Sequence, residues 1–581
     1  MPEPNRDESR RAVVVRLLSH RRNTLGITVG PGAVWIVLLL VAPLAFMTAV
    51  SFASRDPETF QIVWEPTLEN YRNLFVGGTS EYTIGPVGFR ATAFEKAILL
   101  SYGIATIATV LCLVMAFPLA YVMARLEDRM FKIVIYLVLL PFFTMYLVRA
   151  YSWRLMFGQS GVLNQVLSAL GVGPVGAFEY GILAVVVGLT HAYFPYMLVT
   201  LYASLDGLDF TLIEAARDLG ASRIDVVTDH IIPLALPGIV GGSLFVFVPS
   251  VGAFITPRIL GASKVQMIGI LIENRAIGEA TNVATASAAS MAVVVSIVAA
   301  LVAVFRYVTL DELRTGLYGF AGLMMLFLWV PLLVIVVLSF TESPTIFPFE
   351  GVTVRHYLGL SEDVSLLQSV VVSFAIATLS AMIATVLGVL ASFALTRYRF
   401  KFREIYRTFG IIPMIIPGVI LGVGLRFYLR LLAGIQLGFL TTVLTHSLYG
   451  LPFVLLIVTA RLYTFDEALE EAARDLGADP VTTFRDVTLP VIAPAVGAGF
   501  LFAWVRSFED YIRALFVSGV TVDPLTQWMF GKITKASAEN LLKLNAVSTL
   551  VVLAIAIALA IAMNVGNVTG YVAGPREDDD E

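Results

Sequence analysis

EAARDLGA at residues 214–221 returns letter for letter at 471–478, an offset of 257 residues. The register holds upstream, where Pro195, Leu205, Asp209 and Leu212 match Pro452, Leu462, Asp466 and Leu469. It also holds downstream, where Asp229, Pro233, Pro237 and Gly242 match Asp486, Pro490, Pro494 and Gly499. Self-similarity at a fixed, gapless spacing implies two copies of one structural unit in the chain. Each copy reads as two short helices around a glycine. Asp209 and Asp466 cap the first helix, and Gly220 and Gly477 end it. Ser222, or Asp479 followed by Pro480, caps the second helix, which Pro233 and Pro490 are expected to stop. The second helix carries an apolar pair three residues apart on one face, Ile224 and Val227 in one copy, Val481 and Phe484 in the other. A helix so displayed twice either docks into two similar grooves on a partner or folds against its own bundle.

What surrounds the repeat is apolar. The 581 residues are 58% hydrophobic and 14% charged, with a mean hydropathy of +0.84, which sets the chain apart from water-soluble proteins near the ~25% charged norm. A net charge of -4 gives no sign of a nucleic-acid partner, and the single Cys112 excludes a disulfide framework or a cysteine metal site. Twelve nearly charge-free stretches approach the roughly 20 residues of a membrane span. They lie at 28–52, 97–124, 133–148, 180–205, 233–257, 284–305, 315–341, 365–396, 408–425, 431–460, 487–505 and 544–570. The fold class is therefore all-α and polytopic, about twelve membrane helices as two parallel six-helix repeats. The short stretches 133–148 and 487–505 end at Arg149 and Arg506, whose long stems are expected to reach the membrane interface. The first stretch is too long for a signal-peptide core and is expected to stay as a helix.

Basic residues set the orientation. Arg6, Arg10, Arg11, Arg16, Arg21 and Arg22 precede span 1, Arg125, Arg129 and Lys132 follow span 2, and Arg397, Arg399, Lys401, Arg403 and Arg407 follow span 8. All fall on one side by parity, which makes both termini and both repeated loops cytoplasmic. The expected organisation is a tail at 1–27, a first half at 28–310 with its loop at 204–233, a second half at 311–570 with its loop at 461–490, and an acidic tail at 571–581.

Glu-Ala-Ala, a glycine four residues on and a proline thirteen beyond it resemble the EAA loop of permease subunits in binding-protein-dependent ABC importers. The matching residues are Glu214, Ala215, Ala216, Gly220 and Pro233, and Glu471, Ala472, Ala473, Gly477 and Pro490. The resemblance covers nearly the whole chain and implies two permease subunits fused head to tail. It further implies that each loop seats in an ABC ATPase subunit, two copies per chain, and that an extracytoplasmic substrate-binding protein delivers the solute. No G-x-x-x-x-G-K-[ST] occurs, so no cofactor is expected on this chain, and ATP and Mg would bind the partner ATPase. His230 stands where the pattern usually has an aliphatic residue.

Cargo is less constrained. Residues 148–167 and 249–262 are similar to the first permease subunit of spermidine/putrescine importers, and SFEDYIRALFVSG at 507–519 is similar to its partner. Related branches carry ferric iron, thiamine and other small organic solutes, and Gly418 stands where the partner subunit often has an acid. A polyammonium solute needs carboxylates and aromatic faces. Glu509, Asp510, Tyr511 and Trp504 could supply both, whereas the register-matched Gly252 and Ala253 are uncharged. Arg506 and Arg513 are spaced to neutralise those acids instead. His191 and His446 read as packed histidines. A twelve-helix secondary transporter would share the composition and the repeat, but has no use for two matched, capped loops.

Overall fold

The computed structural model describes residues 21–565 apart from 57–61, 77, 85–86, 207–225, 227–230, 262, 278–281, 308–316, 344–350 and 536. The first repeated loop, with Glu214, Ala215, Ala216, Gly220, Ile224 and Val227, lies outside the described residues, as does the acidic tail. Strand pairing is confined, among the described residues, to two short antiparallel hairpins, Ser54–Arg55 with Ile62–Val63 and Ser80–Ile84 with Val87–Ala91, and a Thr341 to Val352 bridge.

Helices in the first half are α1 (Gly26–Ser51), α2 (Ala93–Met123), α3 (Asp128–Phe143), α4 (Tyr146–Met156), α5 (Val162–Ala169), α6 (Ile182–Leu205), α7 (Ile232–Val251), α8 (Ile255–Leu260), α9 (Ile268–Ile277) and α10 (Val283–Tyr307). The second half has α11 (Leu317–Ser339), α12 (Val364–Arg397), α13 (Arg403–Ile415), α14 (Gly418–Phe427), α15 (Phe439–Tyr463), α16 (Ala468–Asp475), α17 (Pro480–Phe508), α18 (Ile512–Val517), α19 (Leu525–Thr534) and α20 (Ala538–Val565). Among the described residues eight helices are long and apolar enough to cross a membrane, ten if each of two bent pairs counts as one span, against the twelve expected. Two of the remaining expected stretches appear as shorter apolar helices, Val283–Ala299 and Phe327–Ser339.

Two spans differ from their expected form. The stretch at 133–148 is the bent pair α3 and α4, turned by 89°, and that at 408–425 is α13 and α14, turned by 102°. In the second pair Ile416 precedes Pro417, a position held away from helical ψ by the proline ring, and it is extended at ψ 130. Thr144 takes the same shape at ψ 135 without a following proline. Gly438, not residue 431, precedes the tenth span, because 428–432 continues α14 as a wide turn.

Helices α2, α6 and α7 pack together in one half, and α12, α15 and α17 in the other. The first helix of each half crosses over: α1 lies on α12, and α11 lies on α2 and α4. Trp35 donates to Ser447 Oγ at 3.2 Å and Trp329 to the Leu137 carbonyl at 2.9 Å, so a tryptophan pins each arm. The halves are thus interlocked rather than sequential blocks. The repeat offset is 272 between α4 and α14 but 257 between α6 and α15, so the first half has 15 extra residues before α6, the region that forms α5.

Candidate functional site

The second repeated loop has the caps its sequence signals. Helix α16 begins where Ala468 N–H donates to Asp466 Oδ1 at 2.9 Å. It closes in a Schellman motif, with Gly477 N–H on the Arg474 carbonyl at 2.9 Å and Ala478 N–H on that of Ala473 at 3.0 Å. Gly477 has φ +89, the left-handed conformation that glycine adopts freely. Asp479 Oδ1 then accepts from Val481 and Thr482 N–H at 2.9 and 2.8 Å. Glu470 fastens the loop to its bundle through Arg397 at 3.2 Å and the Thr488 hydroxyl at 2.8 Å, and Arg397 also pairs with Glu467.

Pro490 does not stop the second helix. A π turn over Phe484–Thr488 carries it into the membrane span, making α17 continuous over 29 residues. In that widened turn Leu489 N–H reaches back five residues to Phe484, so the N–H that Pro490 lacks falls at a change of bonding pattern, where its loss is tolerated. Glu471 and Ala472 are exposed, Ala473 and Val481 half-buried. Phe484 is 40% exposed and meets Phe393 edge-on at 5.7 Å. Leu476, which sequence reasoning passed over, is 91% exposed.

At its other end α17 stops in a tight turn that repeats that after α7. Asp510 N–H bonds the Ser507 carbonyl as Ala253 N–H bonds that of Ser250, at the 257 offset. The two turns and the breaks at 144–145 and 416–417 converge on a narrow cavity of about 90 Å³ between the halves. Tyr146, Arg149, Tyr193, Tyr196 and Gly252 line it from one half, and Pro417, Gly418, Tyr449, Arg506, Glu509, Asp510, Tyr511 and Arg513 from the other.

Glu509 and Asp510 are 4% and 7% exposed, and both are ion-paired. Asp510 accepts from Arg513 Nη1 at 2.6 Å and caps α18 through Arg513 N–H at 2.9 Å. Glu509 takes Arg506, which also donates to the Tyr449 hydroxyl. The neutralising pairs read from the sequence are therefore present, and inside the cavity. Tyr511 lies flat on Phe254, its register partner, with centroids 6.3 Å apart and planes 5° apart. Trp504 is not in the cavity: its indole N–H donates to Thr378 on α12 at 3.1 Å and its ring stacks on Phe508 at 4.9 Å. Five residues before Glu509, and so about 140° away around the helix, it lies on the face of α17 turned to its own bundle.

Arg149 does not reach for the interface. It is 2% exposed, donates to the Ala192 carbonyl at 2.9 Å and lies 5.8 Å from the Tyr146 ring centre. The signal that could have found this cavity is a hydroxylated ring or guanidinium recurring inside charge-poor spans: Tyr193 with Tyr196, and Tyr449 with Arg506. His191 and His446 are packed, hydrogen-bonded to the Leu328 carbonyl at 3.1 Å and to Ser507 Oγ at 2.8 Å.

The family described as binding-protein-dependent transport system inner membrane component matches residues 98–311 and again 384–574. The chain belongs to this family. It carries the family's unit twice, as a fused pair of permease halves, all-α and multi-pass. Among relatives, the spermidine/putrescine transport system permease protein PotB of Haemophilus influenzae is 33% identical over 242 residues, 41% of this chain and 79% of that protein. PotB of Escherichia coli K12 is 35% identical over 242 residues, 41% of this chain and 82% of that protein. PotC of E. coli K12 is 32% identical over 235 residues, 40% of this chain and 88% of that protein. Each relative is thus about the size of one half of this permease.

Proposed function

We propose that this permease forms the membrane pathway of an ATP-driven importer for polyamines of the spermidine/putrescine type. The observation that carries the cargo class is the cavity between the halves, where two carboxylates and five tyrosines converge on three arginines: carboxylates and aromatic faces already holding cations are the chemistry that holds ammonium groups. The names of the relatives point the same way. On this reading two copies of an ABC ATPase subunit bind the repeated loops, with ATP and Mg on those partners. A substrate-binding protein delivers cargo to the opposite face. Support for docking is the outward display of Leu469 and Leu476, 47% and 91% exposed, on a loop that its own bundle holds through other residues. Arginine-rich segments at the loop side favour a prokaryotic inner membrane with both termini cytoplasmic.

Helix α17 supplies the transmission. Its 29 residues form a rod of about 44 Å, with the docking helix at one end and Glu509 and Asp510 immediately beyond the other. Closure of the ATPase pair would draw the loops together and tilt this rod, turning the cavity outward. The chain itself then performs no catalysis. The test is reconstitution with the ATPase and binding protein, in which spermidine or putrescine is expected to raise ATP hydrolysis. Stimulation by ferric iron or an anion alone would remove the polyamine reading. Failure of any ATPase to co-purify would remove the importer in favour of a secondary transporter.

A further inference from the structure

We propose that Arg506 and Arg513 are tethered occupants of the cation seats in this cavity, and that cargo ammonium groups enter by exchanging with them. The inference rests on the polycation reading above. Each seat has a carboxylate on one side and an aromatic face on the other. The Arg513 guanidinium lies between Asp510 Oδ2 at 2.6 Å and the Tyr449 ring, whose centre is 3.4 Å from its carbon. Arg506 holds Glu509 and lies 5.2 Å from the centre of the same ring. An ammonium ion seeks the same combination, so the side chains fill the places that cargo would need.

Charge makes the exchange obligatory. The cavity's guanidiniums, Arg149, Arg506 and Arg513, outnumber its two carboxylates, leaving an excess positive charge in a poorly solvated space where like charges repel strongly. A polycation cannot be added to that set. It can replace members of it, because its ammonium groups restore the pairing that a departing guanidinium gives up. Two further features suit a seat rather than a closed structural pair. Glu509 Oε2 is buried with no hydrogen-bond partner, so half of that carboxylate remains for a donor. Gly418 meets the Arg513 guanidinium with no side chain, and a Cβ there would already come within 3.4 Å of it. The free cavity, about 90 Å³, is well below the ~300–1,000 Å³ of ligand pockets, in keeping with seats already filled.

The test uses chemical rescue in the full chain bound to its ATPase. R513Q leaves Asp510 buried without its cation, and its melting temperature is expected to fall by several degrees. Low-millimolar spermidine should then return at least half of the loss, while moving wild type and the neutral pair D510N/R513Q little. R506Q serves in the same way if R513Q does not assemble. Rescue by methylguanidinium but not by spermidine would keep the exchange and defeat the polyamine cargo. Rescue by neither, or equal stabilisation of the double variant, overturns the exchange and leaves the two arginines as structural counter-ions.

Discussion

Gly477 carries a prediction whose magnitude follows from the backbone alone. The residue closes the Schellman turn at φ +89, and a Cβ built on it meets nothing within 4 Å. Replacement by valine therefore puts its Cβ in open space, and the penalty is at least the conformational one, about 1–2 kcal/mol for a side chain forced into the left-handed region. That amount shifts the ratio of correctly ended to frayed loop by about five- to thirtyfold. The loop protrudes, so the melting temperature of the membrane bundle should barely change. Docking should weaken instead: G477V should lower ATPase capture and cargo-stimulated ATP hydrolysis by that factor. The control is Gly497, inside α17 with nothing within 4 Å of its added Cβ, where G497A should be neutral or slightly stabilising. Quantitative pull-down and ATPase assays on both variants decide the matter. Unchanged capture and stimulation with G477V would refute the docking role of this loop.

Other outcomes follow from single contacts. In R397M the ties of the loop to α12 at Glu467 and Glu470 are lost; Arg397 and Glu470 are 16% and 12% exposed, so uptake should fall together with thermal stability, the latter by about 1–3 kcal/mol as Glu470 loses a charged partner, and an unchanged melt would contradict this. A Cβ at Gly252 would run into Pro417 across the cavity, whereas one at Gly241 meets nothing within 4 Å. G252V should therefore lower the melting temperature and G241A should not. Asp363 caps α12 through Leu366 N–H at 3.1 Å, and D363A should cost about 1 kcal/mol in a thermal melt. Burial pushes that carboxyl up, but Ser365, Leu366 N–H, Lys532 and Lys543 outweigh it and hold it below the usual range. The stabilisation is then present above the ordinary carboxylate pKa and is lost as pH falls through the depressed value. D363A should flatten that part of the acid melting curve.

Signals that act within a few residues were legible. Asp479 with Pro480 and the glycine at 477 specify caps by local hydrogen bonding, and those bonds are in place. The offset of 257 likewise places the two turns at 252 and 509 in matching conformations. What escaped was anything decided by a partner distant in sequence. Hydropathy reads 133–148 as one straight span because it sums side chains and is blind to ψ at Thr144. Arg149 looks like an interface anchor because a guanidinium is buried only with partners, and its partner, the Ala192 carbonyl, comes from another helix; Arg506 pairs with Glu509 as its spacing suggests, but its bond to Tyr449 on α15 could not be read from spacing. Pro490 misled for a related reason: a proline ends a helix only where the missing N–H would have been used, and the π turn removes that need. Trp504 was placed by composition, whereas its orientation depends on Thr378, 126 residues away.

The two halves are alike in geometry and unlike in charge, and the difference sits on one helix. Phe254 and Tyr511 meet face to face at matched positions, so the fold brings the two turns together almost symmetrically. Just before that pair the first half has Gly252 and Ala253, the second Glu509 and Asp510. Both carboxylates therefore follow directly on the end of α17, whose far end is the second repeated loop. The loop and the acids are joined by one helix, through the π turn at Phe484–Thr488, and Arg506, on the same helix, moves with Glu509. Arg513 lies beyond the turn, on α18, and its contact with Tyr449 spans to α15. A tilt of α17 therefore works both seats against Tyr449 on α15, whose hydroxyl Arg506 holds and whose ring Arg513 covers. The two ion pairs differ in span: Glu509 pairs with Arg506 in the last turn of α17, whereas Asp510 pairs across the turn with Arg513 on α18.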